Sequence, residues 1–225
     1  DRALAVLEGP LGDRAVVPPR GIEAVDRGRG DGGTAPAPAA RLVERVATAR
    51  AVEIVDQVAM AIATQIVNQI ASARAVEIVD KVATARAIEL VNQIAPARAV
   101  EIVDKVAAAR ATEIVSQVAT ARAAEIVEKV ATARAVEIVS QMVSGRAAEI
   151  VERVATLRAA KIVEQVATER AAQIIGQIST VKGGDILGTM AVDKASQTME
   201  RMPTPRLEQM LPAIPAKALP DRLAE

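Results

Sequence analysis

Residues 98–109 read R-A-V-E-I-V-D-K-V-A-A-A, and close variants of this line fill the middle of the chain. The arginine returns every twelve residues, at Arg74, Arg86, Arg98, Arg110, Arg122, Arg134, Arg146, Arg158 and Arg170. Arg50 keeps the same phase, with Ile62 standing where the intervening arginine would be. A fixed short period marks an array of one small structural unit. Counted from its arginine, the unit is apolar at positions 2, 5, 6, 9 and 10, here Ala99, Ile102, Val103, Val106 and Ala107. Spacings of this kind line one face of an α-helix. Glu101 and Lys105, Glu125 and Lys129, and Glu149 and Arg153 stand four apart in the order that favours helical ion pairs. Alternation by two, the strand signature, is absent.

The period also decides whether the helix runs on. At about 100° per residue, twelve residues overshoot three full turns by about 120°. An unbroken helix would carry its apolar stripe round the whole circumference, and supercoiling cannot absorb so large a drift. The chain is therefore expected to bend once per unit. Thr or Ser at position 11, as in Thr84, Thr120, Thr132 and Ser144, reads as an N-cap. Pro96 at the same position suits a first helical turn. Most junctions read V-A-T-A-R and lack a C-capping glycine, which keeps a long continuous kinked helix as the alternative.

A second period lies over the first. Positions 7 and 8 are uncharged at Asn68-Gln69, Asn92-Gln93, Ser116-Gln117 and Ser140-Gln141. They are charged at Asp80-Lys81, Asp104-Lys105, Glu128-Lys129 and Glu152-Arg153. Residues 74–97 and 98–121 match at 18 of 24 positions, so the repeating object reads as a pair of helices. The fold predicted is all-α, an α-solenoid of 12-residue units paired as 24-residue helical hairpins. Duplication history alone would give the same alternation.

Three regions follow. Residues 1–37 read as an irregular, flexible segment with prolines and a glycine run, with room for a short helix at Arg2–Leu7. Residues 38–181 hold twelve repeat units. Residues 182–225 open with Lys182-Gly183-Gly184, where the pattern is expected to stop. They continue as one amphipathic helix over Asp185–Met202 and a proline-punctuated tail, which would fold back as a cap or serve as a peptide for a partner. Arg29-Gly30-Asp31 matches a cell-adhesion tripeptide, a three-residue match that chance supplies readily.

Composition closes off much chemistry. The chain has no Cys, His, Phe, Trp or Tyr. Thiol and imidazole catalysis, thiolate metal sites and aromatic stacking on nucleic acid are thereby removed. The 28 basic and 28 acidic residues balance, so no basic footprint for nucleic acid exists. No signal peptide and no transmembrane segment is visible, a cytoplasmic location is favoured, and the first residue, Asp1, suits a processed chain or a fragment.

No catalytic residue, metal ligand or cofactor motif is expected. The arginine ladder would pair with Glu three residues on or, as the other reading, receive regularly spaced anions. The most distinctive surface is the amide and hydroxyl row Asn68, Gln69, Asn92, Gln93, Ser116, Gln117, Ser140 and Gln141, a candidate interaction surface whose plain reading is a solvated polar face. The functional expectation is a non-enzymatic structural, scaffold or protein-interaction protein whose partner is another protein or a second copy of itself. The alternative is an amphipathic coat on a lipid droplet or polymer granule, a peripheral surface role.

Overall fold

A computed structural model describes residues 38–215. The irregular segment 1–37, the short helix at Arg2–Leu7, the Arg29-Gly30-Asp31 tripeptide and the end of the tail with Pro220 lie outside the described residues.

Among the described residues there are fifteen α-helices and no strand. They are α1 (Pro38–Arg45), α2 (Thr48–Gln57), α3 (Met60–Gln69), α4 (Ser72–Lys81), α5 (Thr84–Gln93), α6 (Pro96–Lys105), α7 (Ala108–Gln117) and α8 (Thr120–Lys129). Then follow α9 (Thr132–Gln141), α10 (Ser144–Arg153), α11 (Thr156–Gln165), α12 (Thr168–Ile175), α13 (Thr180–Thr189), α14 (Val192–Glu200) and α15 (Thr204–Met210), with a 3-10 turn at Leu211–Ala213.

Each helix packs chiefly on the one two places along the chain, α4 on α6 and α5 on α7, and only lightly on its immediate neighbour. Odd and even helices thus form two layers, and the molecule is an α-solenoid. The continuous kinked helix is excluded. The alternation of positions 7 and 8 maps onto the layers: the Asn/Ser-Gln pairs all lie on α3, α5, α7 and α9, and the charged pairs on α4, α6, α8 and α10.

The break comes one or two residues earlier than position 11. Position 9 leaves the helix in an extended conformation, and position 10 follows it, as in Val106 (φ −66°, ψ 164°) and Ala107 (φ −53°, ψ 143°). Neither residue takes positive φ, so no glycine is required. Alanine is therefore the N-cap residue, and the threonine read as an N-cap occupies the first helical position instead. Pro96 opens α6 as expected, since its missing N–H faces no helical acceptor there.

The core is a column of aliphatic side chains. Ala99, Ile102 and Val103 are fully buried, and Val106, just past the end of α6, is 3 % exposed. Periodicity assigns position 10 to this apolar face, but Ala107 is exposed because the chain is turning there. Alanine at position 2 lets backbones approach closely, and each buried Ile contributes about 1.5–3 kcal/mol.

The stacking continues past residue 181. The single helix expected over Asp185–Met202 is divided by a break at Met190–Ala191 into α13 and α14. Gly183 and Gly184, read as a stop, lie inside α13 and are buried. A Cβ on Gly184 would sit 2.5 Å from the Ala213 carbonyl oxygen, and one on Gly188 would sit 2.6 Å from the Pro215 ring. The glycines admit the chain end against α13. Capping, rather than a free peptide, is what residues 204–215 do here.

Candidate functional site

The arginine ladder is the most highly built feature of the molecule. An α-helix ends with carbonyls that lack intrahelical partners, and these ends carry partial negative charge. Arg98, near the start of α6, reaches back to the end of α3. Its Nε donates to the Val67 carbonyl at 3.0 Å, and its Nη2 donates to the Ile70 carbonyl. Its Nη1 donates to the Ser72 hydroxyl at 2.7 Å and to the Glu101 carboxylate at 3.0 Å. The side chain is only 12 % exposed, and a charge so buried must be compensated. Here it is compensated by two helix-end carbonyls, a hydroxyl and a carboxylate.

The same set recurs along the array. Arg110 holds the Val79 and Val82 carbonyls, the Thr84 hydroxyl and Glu113. Arg74 holds Val43, Val46, Thr48 and Glu77. Arg122 and Arg134 lack the hydroxyl because Pro96 and Ala108 stand where it would be, and they keep the carbonyls and the glutamate. Arg158 keeps its two carbonyls and Thr132, while Lys161 replaces the glutamate of its unit. The pairing with Glu three residues on is therefore realised in most units, and most guanidinium donors are taken up within the stack instead of facing a row of anions; the Nε groups of Arg146, Arg170 and Arg206 are buried without a partner. The pairs Lys105–Glu101 and Lys129–Glu125 also form, each at 3.3 Å.

The carboxylates respond to these donors. Hydrogen bonds from Arg74 and then Thr48 hold Glu77 below its ordinary value of 4.5. Glu101 is lowered by hydrogen bonds from Ser72, then Lys105 and Arg98. Glu125 is lowered by hydrogen bonds from Lys129 and then Arg122. Burial pushes Arg170 down from its usual range.

Three further members of the ladder escaped the sequence reading. Lys182, Lys194 and Arg206 continue the interval of twelve from Arg170. Lys182 donates to the Val154 carbonyl at 2.6 Å and the Thr156 hydroxyl at 3.2 Å, Lys194 to the Thr168 hydroxyl at 3.1 Å, and Arg206 to the Ile178 carbonyl. Reading position 1 as any basic residue would have found them.

The polar row predicted as an interaction surface is placed along one layer, at the C-terminal ends of α3, α5, α7 and α9. All of its members are exposed except Ser116, which is half-buried. Several have partners within the stack. Asn68 and Asn92 accept from the backbone N–H of Ala95 and Ala119, each at 3.1 Å. Glu44, Asp104, Glu128 and Glu152 accept in the same way from Ala71, Ala131, Ala155 and Ser179. Position 7 thus ties these helices to the linker that follows the next helix of their layer. Serine is too short for this, and Ser116 donates instead to the Glu113 carbonyl. Gln93 and Gln141 accept from the hydroxyls of Thr64 (3.5 Å) and Thr112 (3.2 Å).

Among the described residues no group of three or more Asp or Glu is placed to hold a metal ion. No helix there is long and apolar enough to cross a membrane. A groove bordered by Asp104, Ala131, Arg134 and Glu137 is open to solvent; Arg134 and Glu137 pair with each other at 2.9 Å, and Asp104 accepts from the Ala131 N–H.

Residues 130–220 match the family described as the MgtE intracellular N domain, a stretch of less than half the chain. No curated protein and no solved structure matches.

Proposed function

We propose that the chain is a non-enzymatic interaction module that presents the flank of its solenoid to a partner protein. The observation that carries this reading is the division of labour between layers. One layer repeats an exposed, uncharged row with Gln93, Gln117 and Gln141 at a constant interval, and the other repeats charged pairs at the same places. A rigid, regularly spaced amide row can meet a partner at several points at once, and solenoids use such extended surfaces for binding. Similarity to a family described as an intracellular domain fits a module of this kind inside the cell.

The coat reading has less support. A surface-seeking helix needs a free apolar face. In each unit that face is spent on the shared core, as Ile102, Ile114 and Ile126 illustrate. Helicity by circular dichroism with and without lipid vesicles separates the two readings: the module keeps the same helix content in both.

The deciding experiment is affinity capture by the full chain and by a variant carrying Gln93→Glu, Gln117→Glu and Gln141→Glu. A partner held by the native chain and lost by the equally helical variant supports the flank reading. Identical capture by both overturns it.

A further inference from the structure

The amide row has a spacing as well as a chemistry. Gln93, Gln117, Gln141 and Gln165 close α5, α7, α9 and α11, and all four are exposed. These helices pack in turn on one another within one layer. The axes of packed helices lie about 8–10 Å apart, so the row advances by about that much from one glutamine to the next.

A primary amide carries two N–H donors and one acceptor oxygen. The acceptors of Gln93 and Gln141 are taken by the hydroxyls of Thr64 and Thr112, which holds both amides in place. The donors are unspent: among the described residues none of the four glutamines gives its Nε2 to another group. Asn92, Ser116 and Ser140 beside them carry no charge, and Glu164 beside the fourth accepts from the Ala191 N–H. The row is thus a line of donors in search of uncharged acceptors at one fixed step.

Backbone carbonyls are such acceptors, and the step selects the conformation that supplies them. In a strand the carbonyls of one side recur every two residues, about 6.6–6.8 Å, or every four, about 13 Å, and neither fits. In an α-helix they are spent inside the helix. A polyproline II chain turns once in three residues, about 9.3 Å, and leaves every carbonyl free. Proline adds a second match, since it has no N–H to set against the row of donors.

We infer that the row is a docking ladder for an uncharged, proline-rich segment of the partner protein, held as a polyproline II helix with one glutamine donating to every third carbonyl. The inference rests on the flank reading and names the chemistry of its partner. The chain has no aromatic residue, so hydrogen bonds in register, not rings packed on prolines, carry the contact.

The test is fluorescence anisotropy of the full chain with labelled dodecaproline, hexaproline and a twelve-residue Gly-Ser peptide. Dodecaproline offers four carbonyls in step with the row and binds. Hexaproline offers two and binds at least about tenfold more weakly. The Gly-Ser peptide must lose its freedom to extend and also binds at least about tenfold more weakly. Gln117→Leu, in the middle of the row and without a bond to lose inside the stack, weakens dodecaproline binding at least about tenfold, as removal of a middle point of contact should. Lys129→Gln, on the other layer, leaves it unchanged. Absence of dodecaproline binding overturns the inference, as does equal binding of the Gly-Ser peptide or indifference to Gln117→Leu. If the triple glutamate variant loses its captured partner while dodecaproline does not bind, the ladder falls and the flank reading stands. Identical capture by both chains removes the flank reading itself.

Discussion

The Nε of Arg98 lies 3.0 Å from the carbonyl oxygen of Val67, a residue 31 positions earlier and three helices back. That single contact fixes how consecutive turns sit on one another. It also explains how helices can end at valine with no glycine: the carbonyls left over at one helix end are satisfied from the start of another.

Removing one arginine should therefore act as loss of a buried cap. Arg110→Ala strands the Val79 and Val82 carbonyls and should cost about 2–3 kcal/mol. Arg110→Lys should cost about 1 kcal/mol, because an ammonium reaches a carbonyl and a hydroxyl, as Lys182 does, but lacks the planar fork. Urea denaturation of the full chain checks both. Equal stability of Arg110→Ala and the native chain would show that the clasp is energetically idle.

Two glycines should respond in opposite directions. A Cβ on Gly145 meets only Gln177 Oε1 at 3.5 Å, and the residue lies within α10. Gly145→Ala should stabilise by about 0.4–1 kcal/mol through the unfolded chain. Gly184→Ala drives a methyl into the Ala213 backbone and should destabilise by about 1–3 kcal/mol. Thermal melts of the two variants give the signs directly.

Position 7 gives a test of the layer tie. Asn92→Leu removes the acceptor held by the Ala119 N–H, an exposed group that water can reach, so the loss should be about 0.5–1.5 kcal/mol. Asn92→Asp should retain the tie, since Asp104 makes it in the other layer. Hydrogen exchange at the Ala119 amide should quicken in the leucine variant and stay slow in the aspartate variant.

Acid should loosen the stack. Glu77, Glu101 and Glu125 all have values lowered in the folded state. A lowered carboxylate stabilises the fold above its unfolded value, near 4.5, and that contribution vanishes as pH falls through the folded value. Melting temperature should be flat from neutral pH down to about 5 and fall below it. The drop should shrink in a Glu77→Gln, Glu101→Gln, Glu125→Gln chain. A native profile that stays flat below pH 4 would contradict these assignments.

Much of this architecture was legible in the sequence. The drift of a twelve-residue period round a helix forces a bend, and the alternation of Asn68-Gln69 with Asp80-Lys81 fits two layers, although duplication alone would leave the same pattern. Propensity alone places the bend too late. Thr84 is a good N-cap by type, yet the chain turns through Val82 and Ala83, because Val82 is pulled into the core and must leave the helix to reach it. The destination of the arginines was not legible, since nothing local links residue 98 to residue 67. Gly183-Gly184 misled for a related reason. Glycine is a breaker in isolation, and only the packed chain end reveals that it stands there for clearance.

The two-layer arrangement also governs how such a chain can lengthen. Inserting one unit of twelve residues would move every later helix to the other side of the slab, exchanging amide rows for charged ones, although the clasp, made alike from both layers, would still find a helix end. Inserting twenty-four leaves all later helices on their own side. Growth by pairs is the only step that preserves both faces, and the close match of residues 74–97 to residues 98–121 is the trace such a step leaves.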